Sequence, residues 1–226
     1  MLSLLLGAHP AEIPVRALVP VAEKHGVSGA TLRVALSRMV SAGDLISTDA
    51  TYRLSPRLLA RQERQDRELA PAPTDWDGQW HEVVVTATGR DAGRRHDLRR
   101  ELLDAHHGEL REGVWLRPAN LEAPAWSTTA REDSVMLTCR PDADPVVLVS
   151  QLWDLPAWTD RGLALEAALQ DADEPARRIT FAAALVRHLR TDPRLPPPLL
   201  PEGWPGERLR ATYFAYREAL ATLLQP

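Results

Sequence analysis

Apolar positions in residues 1–54 recur first at helical spacing and then at strand spacing. "LSLLL" is a short apolar start, and "PVRALVPVAEKHG" carries an apolar stripe at intervals of three and four, so both predict helices. Pro20 must sit in a first turn or cause a break, and Gly26 stops the second helix. In "TLRVALSRMVSAGDLI", residues 31–46, a rotation of about 100° per residue gathers Leu32, Ala35, Leu36, Met39 and Val40 into one arc. Ala30, Thr31, Arg33, Val34, Ser37, Arg38 and Ser41 fill the opposite arc. Ser28 is a good N-cap for this helix, and Gly43 a good stop. "DLIST" and "TYRLS" then alternate, which predicts a β-hairpin turning near Asp49 and Ala50.

Ser55 and Pro56 open a charged helix, "RLLARQERQDREL", and "APAPTD" is a stiff linker. Beyond it, "WHEVVVTAT", "ELREGVWLRP", "SVMLTCR" and "PVVLVSQLW" predict four strands. "DAGRRHDLRRELLDAHHG" predicts an amphipathic helix with Leu98, Leu102 and Leu103 buried and Gly108 as its stop. "ANLEAPAWSTTARED", interrupted by Pro124, is a weak helix signal and is expected to be loop. This order predicts a ferredoxin-like split βαβ plan. Three apolar-faced helices follow, and the rigid "PRLPPPLLPEGWPG" separates the last two. The fold class is therefore α+β and multidomain. Residues 1–54 form a winged helix-turn-helix, 55–74 a connector, 75–154 a ferredoxin-like domain and 155–226 a helical domain.

Composition narrows the function classes. The net charge of -4 excludes a polycation that binds nucleic acid indiscriminately. Residues 1–67 nevertheless carry nine Lys/Arg against six Asp/Glu, so a mildly basic head leads an acidic body. Cys139 is the only cysteine, which rules out an intrachain disulfide and a Cys-based metal site and favours a reducing, cytoplasmic setting. "MLSLLLGAHP" has no basic lead and no stretch reaches the length of a membrane span, so neither secretion nor a membrane partner is expected.

The outer arc of the 31–41 helix holds two arginines, three hydroxyls and no carboxylate. Arg can bond guanine O6 and N7, Ser and Thr can bond bases or phosphates, and a small apolar residue such as Val34 can meet a thymine methyl. A solvated helix face has a similar composition, but the preceding helix, the short turn and the following hairpin favour DNA. The DNA-binding candidates are Thr31, Arg33, Val34, Ser37 and Arg38. The hairpin tip "TDAT" lacks Lys and Arg, so Arg53 on the return strand is the nearest basic wing residue. Arg57, Arg61 and Arg64 either reach phosphates or are simply solvated.

With these stretches in place, the chain resembles the PaaX-like family of bacterial transcriptional repressors, the type that controls phenylacetic acid degradation. "TLRVALSRMVSAGDL" with "TYRLSPRLLARQERQ", "WDGQWHEVVV" with "LRRELLDAHHGELREGVWLRP", and "LWDLPAW" with "DPRLPPPLLPEGWPG" carry the resemblance in order. It implies a winged helix, a Cas2-like ferredoxin-like centre and a helical C-terminal domain. It also implies a homodimer on a palindromic double-stranded operator, released by phenylacetyl-CoA or another acyl-CoA or aromatic acid. The chain departs from the family in its uncharged wing and in "VTATGRDAG", where many relatives have an acidic turn.

Other chemistry is less well supported. A nuclease or acyl-CoA hydrolase acting through the central domain is the alternative reading. However, the first central strand ends in Thr86, Ala87 and Thr88, and Asp91 beyond it is expected to cap a helix. No nucleophile–base pair or phosphate-binding glycine loop is present, so no catalytic residue, cofactor or enzyme activity is expected. His96, His106 and His107 with Asp104 and Glu109 could hold a metal, but histidines at a helix C-terminus are better explained by the helix dipole, so no metal is expected. The chain has seven Trp, and most belong to cores. Trp115 and Trp153 are candidates to stack on an effector, with Arg117 meeting its phosphate or carboxylate.

Overall fold

The structure is a computed structural model that describes residues 2–8, 10–24, 26–70 and 75–224. Residues 71–74 of the expected Pro-rich linker lie outside the described residues. By contacts the chain groups into two compact units, both discontinuous in sequence. One draws on residues within 1–70, 161–190 and 205–226, the other on residues within 71–160 and 191–204. This grouping cuts across the four consecutive segments read from the sequence.

The first unit begins with α1 (Leu2–Gly7), β1 (Glu12–Pro14), α2 (Val15–Lys24) and α3 (Gly29–Ser41). A hairpin of β2 (Leu45–Thr48) and β3 (Thr51–Leu54) follows, and then α4 (Pro56–Leu69). The order helix, short turn, helix, hairpin is the one expected. Pro20 is accommodated inside α2 rather than breaking it. β1 escaped the sequence pattern because it is three residues long; it pairs antiparallel with β3 and completes a sheet of order β1-β3-β2. Leu5, Ile13, Leu18, Leu32, Leu36, Leu45, Leu54 and Leu58 form one buried cluster beneath these elements.

Local signals set the ends of α3. The Thr31 N–H donates to Ser28 Oγ at 3.2 Å, satisfying one orphan donor of the first turn. At the other end Gly43 takes φ 72. Its N–H donates to Val40 O (3.0 Å) and the Asp44 N–H to Met39 O (2.9 Å), the paired bonds of a Schellman stop. Ser55 occupies the N-cap position of α4, but its hydroxyl makes no capping bond. Gln62 of α4 is almost fully buried and donates to the carbonyls of Leu6 (2.8 Å) and Ala8 (2.9 Å). It thereby satisfies acceptors that the end of α1 leaves open. α9 (Pro175–Leu189) and α10 (Gly206–Leu224) pack together, and Leu220 lies against the head cluster. α8 (Leu155–Gln170) enters this packing at Gly162, where a Cβ would stand 2.5 Å from Leu209 Cδ1.

The second unit is built on β4 (Trp80–Val85), β5 (Gly108–Arg111), β6 (Val114–Pro118) and β7 (Ser134–Cys139) in the antiparallel order β5-β6-β4-β7. With α5 (Ala92–Asp104) and α6 (Thr128–Asp133) the order is βαββαβ, the ferredoxin-like plan. Val83 and Trp115 face a cluster with Leu98, Leu102 and Ala130 of the two helices. Trp80 and Leu116 face the other way, into a cluster with α7 (Pro145–Leu152) and with Leu195 and Leu199, the latter in a short 3-10 turn (Pro197–Leu199). Arg94 clamps α5 to α6 through two bonds to buried Asp133 (2.6 and 2.8 Å).

Four expectations need correction here. "ELREGVWLRP" is two strands, because Gly113 at φ 79 makes the turn of a hairpin. "PVVLVSQLW" is not a strand. Asp144 accepts from the Val146 N–H (2.8 Å) with Pro145 at the first helical position, and this helix start overrides the β preference of the valines. The segment expected to be loop contains α6, capped by Ser127. Finally, Leu103 is 51% exposed, and Gly108 does not stop α5. His106 does, at φ 61, while Gly108 opens β5 where a Cβ would stand 2.7 Å from Leu152 Cβ of α7.

The hairpin tip supplies a stability test. Asp49 (φ 49) and Ala50 (φ 57) both adopt the left-handed conformation of a type I′ turn, which Ala tolerates poorly. Ala50→Gly should stabilise the protein by about 0.5–1 kcal/mol, the relieved strain exceeding the entropy that glycine adds to the unfolded chain. The check is the midpoint of thermal or urea unfolding. An unchanged or lower midpoint would show that the turn carries no such strain.

Candidate nucleic-acid interface and the polar cavity of the sheet unit

α3 has the two faces its sequence predicts. Leu32 and Leu36 have no exposed surface, and Ala35, Met39 and Val40 are half-buried beside them. Ala30, Thr31, Arg33, Val34, Ser37, Arg38 and Ser41 are all exposed, with Val34 at 54%. The Thr31 hydroxyl is partly engaged with Ser28 Oγ at 3.0 Å. Among the described residues the Arg33 and Arg38 side chains have no ion-pair partner, so both guanidinium groups are open to an incoming anion. Arg57 differs, because it pairs with Asp44 at the exit of α3. Arg53 is exposed on β3, directly opposite Glu12 of β1 in the strand register, so a carboxylate shares its surroundings. The structure thus gathers Thr31, Arg33, Val34, Ser37 and Arg38 on one surface and places Arg53 on the neighbouring sheet.

The three residues expected to meet an effector are not gathered. Trp115 is 3% exposed in the helix-side core, with the Arg99 guanidinium 5.0 Å from its ring centre. Trp153 packs on the opposite face of the same sheet. Arg117 borders a cavity, which it shares with Ala105, His106, Leu121, Pro124 and Arg194 among others. Arg117 donates from Nη2 to the carbonyls of Leu121 (3.3 Å) and Glu122 (2.9 Å), and its Nε has no partner. Burial, followed by the nearby Arg194 charge, pushes its pKa down to about 10.

His81 stands opposite Arg117 in the β4–β6 register, and burial and then Arg117 hold its imidazole below the ordinary range. His107 is 1% exposed, and neither ring nitrogen meets a partner at hydrogen-bond geometry. Burial first, then Arg117 and His81, push its pKa down to about 3, against a weak opposing pull from the Ala105 backbone. The helix-dipole explanation therefore fails for His107, which is neutral and has no charge for the dipole to favour. His106 instead bonds the Asp192 carbonyl through Nδ1 at 2.9 Å. Sequence reading missed His81 and Arg194 here; strand pairing brings the first to Arg117, and nothing in the Pro-rich stretch marks the second. Asp91 caps α5, accepting from the Arg94 N–H at 2.8 Å. Among the described residues no group of three or more His, Cys, Asp or Glu could hold a metal, and no helix is long and apolar enough to cross a membrane.

Comparison with known proteins covers nearly the whole chain. Residues 1–58 match the PaaX-like protein family, residues 73–137 the PaaX protein central Cas2-like domain, and residues 158–225 the PaaX-like protein C-terminal domain. A solved structure of the uncharacterized protein Rv0674 from Mycobacterium tuberculosis is similar at 48% identity and a TM-score of 0.89, over 98% of this chain and 94% of that one. No curated protein matches the chain.

The buried histidine predicts a pH dependence. Unfolded, His107 takes up a proton near its ordinary pKa of about 6.5; folded, it resists protonation down to about 3. Between these values the unfolded chain binds more protons, so stability rises with pH. His107 thus costs nothing above about pH 6.5 and destabilises progressively as the pH falls toward 3. At pH 5 its share of the loss should be about 2 kcal/mol. His107→Phe should remove that share, read as a smaller drop in urea midpoint between pH 7.5 and pH 5. An equal drop in both proteins would show that His107 charges freely in the folded state.

Proposed function

Because the chain belongs to the PaaX-like protein family, whose members are known as transcriptional repressors, we propose that it is a ligand-responsive, homodimeric repressor of a catabolic operon. The observation that carries this reading is the outer face of α3, where Arg33, Ser37 and Arg38 stand exposed with no carboxylate among them. Residues 1–54 would read DNA, with α3 in the major groove and Val34 positioned for a thymine methyl. Two such heads on a dimer would match the half-sites of a palindromic operator. The wing, with Asp49 at its tip and Glu12 opposite Arg53, would contribute less than α3. Phosphate contacts would make affinity fall with salt. Phenylacetyl-CoA, another acyl-CoA or an aromatic acid is the proposed effector, which releases DNA by favouring a dimer whose heads no longer fit both half-sites. An operon for breakdown of aromatic acids is the corresponding target.

Arg38→Ala tests this reading without disturbing the core, since the side chain is exposed. It should weaken specific operator binding by about 1–3 kcal/mol, roughly fivefold to more than a hundredfold. The measurement is fluorescence anisotropy with DNA from upstream of the protein's own gene, at fixed salt. Unchanged affinity would remove Arg38 from the interface, and no specific binding by the unaltered protein would overturn the reading.

A further inference from the structure

The cavity beside the end of α5 measures about 390 Å³, and Arg117 and Arg194 both line it. Arg117 is 2% exposed and has no ion pair among the described residues. Its Nη2 is held by two neutral carbonyls and its Nε by nothing. A buried guanidinium normally has a carboxylate, a phosphate or a full set of acceptors, because taking the charge out of water is costly. Arg194 in the same wall adds a second positive charge, and burial holds the imidazoles of half-buried His81 and buried His107, on the Arg117 side, below their ordinary range. The carboxylates that border the cavity, Asp104 and Glu122, are both exposed.

The backbone of this wall is held in place. Four non-glycine residues among those described have positive φ, and two of them, His106 (φ 61) and Arg194 (φ 53), border this cavity. The other two form the hairpin turn. Such strain persists only where the surroundings over-determine it, and it gathers at ligand sites. Here the Arg194 N–H donates to Asp192 Oδ1 (2.8 Å), Asn120 Nδ2 donates to the Arg194 carbonyl (2.9 Å), and His106 Nδ1 meets the Asp192 carbonyl. Asp192 is 2% exposed. These bonds fix Arg194 beside the cavity before any ligand arrives, so little ordering remains for binding to impose.

We propose that this cavity binds the oxyanion end of a small ligand, a carboxylate or phosphate group, between Arg117 and Arg194, with Leu121 and Pro124 meeting its apolar part. Binding itself stands apart from DNA recognition; only the identification of this ligand with the effector rests on the reading above.

The test is thermal unfolding of the full chain without DNA, titrated with sodium phosphate or sodium phenylacetate to about 10 mM at ionic strength matched with sodium chloride. A ligand of the folded form raises its stability in a saturable way. At least one of the two anions should therefore raise Tm to a plateau, phosphate alone indicating a phosphate end and phenylacetate alone a carboxylate with an apolar body. Arg117→Met should lose the plateau. General salting-out stabilisation does not saturate and would persist in the variant. If Arg117→Met does not fold, Arg194→Gln, at a half-buried position, is read in the same way. No plateau with either anion, or an equal plateau in the folded variant, overturns the proposal. Since no DNA is present, that failure is distinct from a failure of operator binding.

Discussion

A strand pair buried on both faces leaves a side chain no choice of side. β4 and β6 are such a pair, with Val83 and Trp115 in one core and Trp80 and Leu116 in the other. Strand parity then dictates everything near them. Arg117 must share a face with Trp115, and His81 must stand across from Arg117. A guanidinium and two imidazoles therefore lie in a layer that also holds a hydrophobic core. Desolvation holds the imidazoles below their ordinary range and leaves Arg117 short of partners. The cavity chemistry follows from the alternation of a sheet rather than from any local motif.

The head obeys the corresponding rule for a helix. Leu32 and Leu36 anchor α3 so fully that its rotation is set, and with it the residues that meet solvent. Caps at both ends hold the helix to its length, and the exit turn brings Asp44 to Arg57. The same acid thus ties the exit of α3 to the connector helix.

These two rules also explain which features the sequence disclosed. The faces of α3, its caps, the hairpin and the cap at Asp91 were legible because each depends on residues within a few positions of one another. β1 was not, since three residues carry no periodicity. α7 reads as a strand because "VVLV" is apolar and β-branched, while the helix start that overrides it rests on two residues, Asp144 and Pro145. The pairing of Trp115 with Trp153 failed because parity is visible within a strand, whereas the face taken by a segment some 35 residues later is not. Arg194 could not be found at all: it reaches Arg117 only because Leu195 and Leu199 anchor a Pro-rich stretch to the sheet.

The interleaving of the two units bears on how the chain can be made. Synthesis proceeds from the N-terminus, and domains generally fold as units. Here the first unit draws its last helix from residues 206–224, and the second takes Leu195 and Leu199 from beyond α9. The head cluster of residues 5–58 is therefore made early, whereas the cluster around Trp80 stays incomplete until Leu195 and Leu199 have emerged. α1 to α4 emerge early yet wait for α9 and α10 with apolar surface uncovered. A premature stop anywhere in the last fifth would therefore strip cover from the earliest-made part along with the latest.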